Sequence, residues 1–392
     1  MHETELQLRE RINALESESQ AADDLAAALN DLGDYLAGQG RCDGETLALY
    51  RRALELFAAT GGTEQPDVAN VLNNLAAVHY ELGDYGESES LAGRAAAIMD
   101  GLFAQEALVA DTDADTLALC QGIRRQALSQ QGAARRALGR YAEAETSLLR
   151  GLALMEQHFG PDAEQTADSL NDLGVLYKYW GRYADAETVY GRAHGILEGR
   201  YGPDHAALAT ISYNLAGLDH ARGCFDEAEP RCRRALALQE ALYPDDHPLL
   251  AVTRGTLAAI LDGQGRYDEA EALYRQSLAI HVARHGTEHP EVALGLNNLA
   301  AIAEARGRLA EAEALYLRAI QIRERCLGTE HPQTAICLNN LGMLYPAIGK
   351  AAQTEALFRR ALDILEQAAG PDHPHTLICR AHWEAARAAR TA

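Results

Sequence analysis

Two sets of residues have types and spacings that invite a chemical reading. Five histidines, His205, His247, His289, His331 and His373, stand 42 residues apart. A row of imidazoles suggests a metal, because neutral imidazole is the commonest metal ligand. A zinc ion, however, holds each ligand about 2 Å away. One histidine per helix pair separates neighbours by roughly 15 to 20 Å, two helix diameters. No two of them can share an ion, so capping and packing are the predicted roles. Asp111, Asp113 and Asp115 open like a calcium loop, but the sixth place is Thr116 instead of glycine and the twelfth is Gly122 instead of glutamate. A solvated acidic tip is predicted there. No nucleophile with its base, phosphate loop or ligand cluster stands out, so no catalytic residue, metal or cofactor is assigned and no enzyme is expected.

The most regular charged position is a glutamate: Glu89, Glu145, Glu187, Glu229, Glu271, Glu313 and Glu355, followed five residues later in most units by an arginine, as in Arg150, Arg234 and Arg318. Partners within one helix favour a spacing of three or four. The glutamates are therefore predicted to make structural contacts with a neighbouring unit.

What positions these residues is an internal repeat. Residues 287–328 and 329–370 align without a gap, and a self-similarity at 20 to 50 residues marks a solenoid or array. One glycine per unit indexes the chain: Gly40, Gly83, Gly139, Gly181, Gly223, Gly265, Gly307 and Gly349. Before each glycine, apolar and small residues recur at helical spacing, as in Leu257 with Ala258 and Leu341 with Gly342. After it comes a second helix opened by a bulky residue, with alanine at the close contact (Ala144, Ala186, Ala228, Ala270, Ala312). The glycine supplies the positive φ of a short turn. Segments such as GTEHP and GPDHA join one unit to the next, with proline where a first helical turn needs no N–H. Each unit is an antiparallel helix pair that buries its apolar face only by stacking on the next.

Residues 1–20 read as a charged amphipathic helix carrying Leu8, Ile12 and Leu15 on one face, expected to cover the first repeat. The array runs over 21–373. From Gly83 to Gly139 the period is broken by 14 additional residues, and the insert, at about 101–118, is predicted to lengthen two facing helices by about two turns each into a protruding hairpin with Asp111 to Asp115 at its tip. Residues 374–392 form a capping helix, with Trp383 and Leu377 expected inward and the arginines outward.

Composition bounds the partners. The 392 residues carry a formal net charge of −22, and Lys178 and Lys350 are the only lysines. Nucleic acid and anionic membranes both need a basic footprint, so neither is expected. The seven cysteines are scattered without a metal or disulfide spacing and read as small hydrophobes in a reducing compartment. With no apolar run approaching ~18 residues and a charged beginning, the expected location is cytoplasmic.

The pattern of LNNLA, turn glycine, aromatic residue and alanine-glutamate resembles the tetratricopeptide repeat. Its 42-residue period with G-x-x-HP is similar to the kinesin light chain type, over roughly residues 21–392. The resemblance implies an all-α, right-handed α-solenoid of about eight helix-turn-helix repeats whose first helices line a concave groove. The first 20 residues hold about two heptads, whereas kinesin light chains join their motor through a long heptad region, so a stand-alone adaptor is the closer expectation. In the resembled family the residue ten before the turn glycine faces the groove. That residue is Asn73, Asn171, Tyr213, Asn297 or Asn339 in five of the units here, and asparagine amides can pair with a peptide backbone. The same face carries Lys178 and His220, and toward the C-terminal units Val252, Leu294, Ile336 and Met343. The groove predicted on these residues takes an extended or helical protein segment of apolar and neutral or basic character. Two other readings compete: a self-assembling structural protein, and a regulatory subunit of a separately encoded enzyme. The oligomeric state is left open by the sequence.

Overall fold

All eight index glycines have φ between 74° and 80°. In each turn the residue after the glycine donates its backbone N–H to a carbonyl five positions earlier, as Asp84 does to His79 at 2.9 Å and Arg308 to Ala303 at 2.8 Å. That bond closes the first helix while glycine takes the left-handed conformation at no Cβ cost. The chain reverses immediately, and the second helix packs back on the first.

The computed structural model describes residues 4–16, 22–104, 113–372 and 374–391. Among them every regular element is helical. The chain divides into two compact units, residues 1–172 and 173–392. The first contains α1 (Glu5–Glu16), α2 (Ala22–Gly38), α3 (Gly44–Gly61), α4 (Pro66–Glu81), α5 (Tyr85–Phe103), α6 (Ala114–Ala137) and α7 (Tyr141–Phe159). The division falls within α8 (Glu164–Tyr179). The second contains α9 (Tyr183–Tyr201), α10 (Leu208–Ala221), α11 (Phe225–Glu240), α12 (Pro248–Gly263), α13 (Tyr267–His285), α14 (Pro290–Ala305), α15 (Leu309–Leu327), α16 (Pro332–Leu344), a 3-10 turn at Tyr345–Ile348, α17 (Ala351–Ala369) and α18 (Pro374–Thr391). Within each unit consecutive helices pack pairwise, and each pair also packs on the next. That is the arrangement of a tetratricopeptide solenoid.

The core follows from which residues are small. A Cβ on Gly174 would stand 2.3 Å from the Tyr190 ring, and one on Gly342 2.7 Å from the Phe358 ring. Large rings of the second helix thus press directly on the backbone of the first. Where alanine replaces that glycine, as at Ala258 and Ala300, it is wholly buried beside Tyr274 and Tyr316. Each buried Leu, Ile or Phe of these clusters contributes about 1.5–3 kcal/mol.

Three expectations are amended. α5 has 19 residues like α7 and α13, whereas α6 has 24 against 16 for α8 and α14. Among the described residues the insert therefore lengthens the first helix of its repeat by about two turns. The second of the two facing helices gains nothing, because α5 already ends where its neighbours do. Residues 105–112, which include Asp111, lie outside the described residues. In α18, Trp383 packs on the core with Cys379, but Leu377 is 48% exposed. Its equivalent one repeat earlier, Ala335, is wholly buried. Nor do all the arginines of α18 point away: Arg387 lies over the Trp383 ring at 5.5 Å and Arg380 pairs with Glu366 at 2.9 Å.

At the other end Leu8 and Ile12 of α1 are buried against α2, and Arg11 and Arg52 tie α1 to its neighbours through Asp31 and Glu16. No helix among the described residues is long and apolar enough to cross a membrane.

Candidate interaction face

The recurrent histidines His247, His289 and His331 are helix N-caps, and His205 stands two residues before the N-cap of α10. His205, His247, His289 and His331 each accept, through Nδ1, the backbone N–H two residues on, at 3.2 to 3.3 Å. Two of the rings also stack on a tyrosine four residues upstream, with centroids 4.5 Å apart for Tyr201–His205 and 4.0 Å for Tyr243–His247. An Nδ1 engaged in this way is unavailable to a metal, and the described residues contain no group of three or more potential ligands. His373 lies outside the described residues. Asp113 is likewise a cap: its carboxylate accepts from Thr116 and Asp115 N–H at 2.9 and 3.1 Å, which holds its pKa below the usual range.

Several of the glutamates do reach a neighbouring repeat through the basic residue directly after the next turn glycine, whereas Glu187 meets Arg222, just before that glycine, at 3.0 Å. Glu229 meets Arg266 at 2.8 Å, Glu271 meets Arg308 at 2.8 Å, and Glu313 meets Lys350. The arginine five residues downstream goes elsewhere, as Arg360 does to Glu324 at 2.7 Å. A cleft of about 530 Å³ lined by Asp268, Glu271, Arg275, Arg306 and Arg308 belongs to this ion network.

The predicted groove residues divide into two groups. In the first unit Asn73 is buried: its amide donates to the Ile123 carbonyl at 3.0 Å, and its Oδ1 has no hydrogen-bond partner. The lengthened α6 packs on both α4 and α5, which places this asparagine out of reach of a peptide backbone. Asn171 is half-buried on α8. In the second unit Asn297 is buried and accepts at Oδ1 from Asn340 at 3.1 Å. Asn339 is half-buried, its Oδ1 2.9 Å from His382 Nδ1. Tyr213 OH accepts from Thr256 at 3.3 Å, and burial raises its pKa.

Apart from that of Asn73, these bonds follow one rule: the groove position of one repeat pairs with the residue 43 positions on, which is one repeat plus one. Ser129 with Asp172 and Asn30 with Asn74, 44 apart, carry the rule or its close variant in the first unit. Asn297 and Asn339 therefore each bond to a residue one repeat on, and the Asn73 amide is engaged beneath α6. The second members Asn74, Asp172 and Asn340 each directly follow the groove position of their own repeat.

Side chains that remain accessible are of another kind. Val252, Leu294 and Ile378 share one register position on α12, α14 and α18 and are 39%, 42% and 50% exposed, with Ile336 half-buried between them on α16. Met343 on α16 is 50% exposed. In the last turn of α12 and α14 stand Asp262 and Glu304, both with pKa raised by burial. At the opposite end of this unit the Lys178 ammonium lies above Gly217, where a Cβ would be 3.3 Å from Nζ. Burial and this cation push the His220 pKa down. Lys178, Gly217 and His220 thus lie together, whereas Met343 stands on α16.

Among solved structures the chain is similar to a Rap protein complexed with Competence and Sporulation Factor, at 12% identity and TM-score 0.51 over 98% of this chain and 97% of that one. It is also similar to NprR in complex with its cognate peptide NprX, at 13% identity and TM-score 0.55, covering 80% and 84%. A protein from Podosopora anserina designated a kinesin light chain, with nearly identical TPR-like repeats, is 23% identical with TM-score 0.42, covering 52% and 97%. No curated protein matches the chain. The family model described as tetratricopeptide repeat matches residues 24–100, 124–199, 207–281 and 291–367, and the chain belongs to the tetratricopeptide repeat family.

Proposed function

We propose that the protein is a non-enzymatic interaction scaffold that holds a segment of a partner protein on the first-helix face of residues 173–392. The observation that carries this reading is the apolar row Val252, Leu294, Ile336 and Ile378, one residue per repeat, of which Val252, Leu294 and Ile378 are exposed and Ile336 is half-buried. A row of apolar side chains at constant register suits a ligand lying across successive helices. Asp262 and Glu304, ten residues further along the same helices, favour a basic side chain beyond the apolar stretch of the segment. The complexes of Rap with a factor and of NprR with its cognate peptide lend support, since both are built on this fold. A cytoplasmic setting accords with seven cysteines that are all unpaired.

The test uses a panel of fluorescent 15-residue peptides, amphipathic and either basic, neutral or acidic, measured by anisotropy. Apolar-basic peptides are expected to bind, and Val252→Asp with Leu294→Asp is expected to weaken them at least about ten-fold with helicity unchanged, because a carboxylate is then desolvated against apolar side chains. Equal binding of acidic peptides, or no effect of the double substitution, rules the reading out.

A further inference from the structure

At one joint of the second unit the cap histidine does not stand alone. His281 and His285 of α13 and His289, the cap of α14, form a column of three imidazoles, with centroids 6.1 Å apart at 21° and then 4.1 Å apart at 14°. At the equivalent positions the preceding repeat has Gln239, Tyr243 and His247, and the following one Arg323, Leu327 and His331. His281 is buried with its Nδ1 lacking a hydrogen-bond partner, while His289 Nδ1 accepts from the Glu291 N–H at 3.2 Å.

Such a column is stable only while its rings are neutral. A proton on His289 Nδ1 destroys the acceptor that caps α14 and places a cation at the positive end of that helix. A proton on His281 or His285 sets a cation against the next ring with no anion to meet it. The charged groups around the column do little to help. Arg284 on the same helix opposes further positive charge. Glu288 in the connection is already engaged by Arg318 and Arg325 of α15. The Glu291 carboxyl of α14 is pushed up by burial, against the opposing field of Arg323. From the α12 side His247 also feels Arg284.

We propose that the His281–His285–His289 column is a proton-sensitive joint, in which acidification releases the first turn of α14 from α13. Burial and the neighbouring rings hold His289 down at about 4, and burial also lowers His281 and His285. Between that value and the roughly 6.5 of a free imidazole, an opened joint binds more protons than a closed one, so falling pH favours opening. Opening does not depend on what binds to α14, although α14 carries Leu294 and Asn297.

Hydrogen exchange of the whole protein, corrected for intrinsic rates, measures this at pH 7 and pH 5. Amides in the first two turns of α14 are expected to lose protection about ten-fold more than the equivalent amides of α12, which follow Tyr243 and His247. Replacing His281→Gln and His285→Tyr, the residues of the preceding repeat, is expected to remove that excess. An equal loss at both joints overturns the proposal, as does an excess that survives the substitutions. Should the variant fold poorly, an NMR titration of the unaltered protein decides instead: His281 and His285 titrating as free imidazoles near 6.5 would refute the mechanism.

Discussion

Asn340 donates its side-chain amide to the buried Oδ1 of Asn297 at 3.1 Å, across a helix–helix boundary and 43 residues of chain. The bond explains why asparagine recurs at two adjacent positions in this array: the first serves as acceptor for the second of the next repeat. Once the amide is committed in this way, the first asparagine contributes to the stack before it can contribute to a ligand.

Asn340→Ala is expected to cost about 1–2 kcal/mol, since it strands a buried acceptor. Asn297→Ala in the same background should then cost less than it does alone, because the pair is already broken. Urea denaturation of both single variants and the double variant gives the coupling, which is expected to be about 0.5–1 kcal/mol. Strict additivity would mean that the bond contributes nothing.

Glu271 gathers Arg275, Arg306 and Arg308 from two repeats. Glu271→Ala leaves these guanidiniums facing one another, with Asp268 beside Arg306 and Glu311 beside Arg308 as the remaining counter-charges. The melting temperature is expected to fall, and to fall less in concentrated salt, where exposed charges are screened. A salt-independent loss would indicate packing instead of charge.

His331 caps α16 through Nδ1, and burial followed by the nearby Arg323 pushes its pKa down to about 4. The folded state therefore resists a proton that the unfolded chain accepts. The contribution of His331 is complete above about 6.5 and is lost as pH falls from there to about 4. His331→Asn keeps a capping acceptor without a titrating group. Between pH 7 and pH 4.5 this variant should lose about 1–2 kcal/mol less stability than the unaltered protein, read from urea midpoints.

Pro230 stands inside α11, where it has no N–H to give and crowds the preceding turn. The equivalent residues of the next two repeats are Ala272 and Ala314. Pro230→Ala is expected to stabilise the protein by about 1–3 kcal/mol, measurable as a raised denaturation midpoint. A lowered midpoint would show that the kink is required by the packing around it.

The repeat, its period, the helix pairs and the turn glycines were all legible in the sequence, because each depends on local rules of φ, helical spacing and small-residue contact that recur in register. The capping role of the histidines was legible for the same reason, since a cap is made within a few residues of itself. The break at Gly83 to Gly139 was visible as a number, but the lengthening of α6 was not, because either helix could have absorbed the extra turns without rotating its apolar stripe.

What the sequence determined by itself is the unit and its repetition. What only tertiary structure decided is which polar residues are consumed by the stack. Asn73 and Asn297 look alike in the sequence, yet the first is sealed under α6 by a bond to Ile123 and the second is used by Asn340. Hydrogen-bond partners and burial at a helix–helix joint depend on residues a full repeat away, so no local pattern specifies them. The same holds for Val252, Leu294 and Ile378: their apolar character is written in the chain, but their exposure is the outcome of what the neighbouring helices leave uncovered.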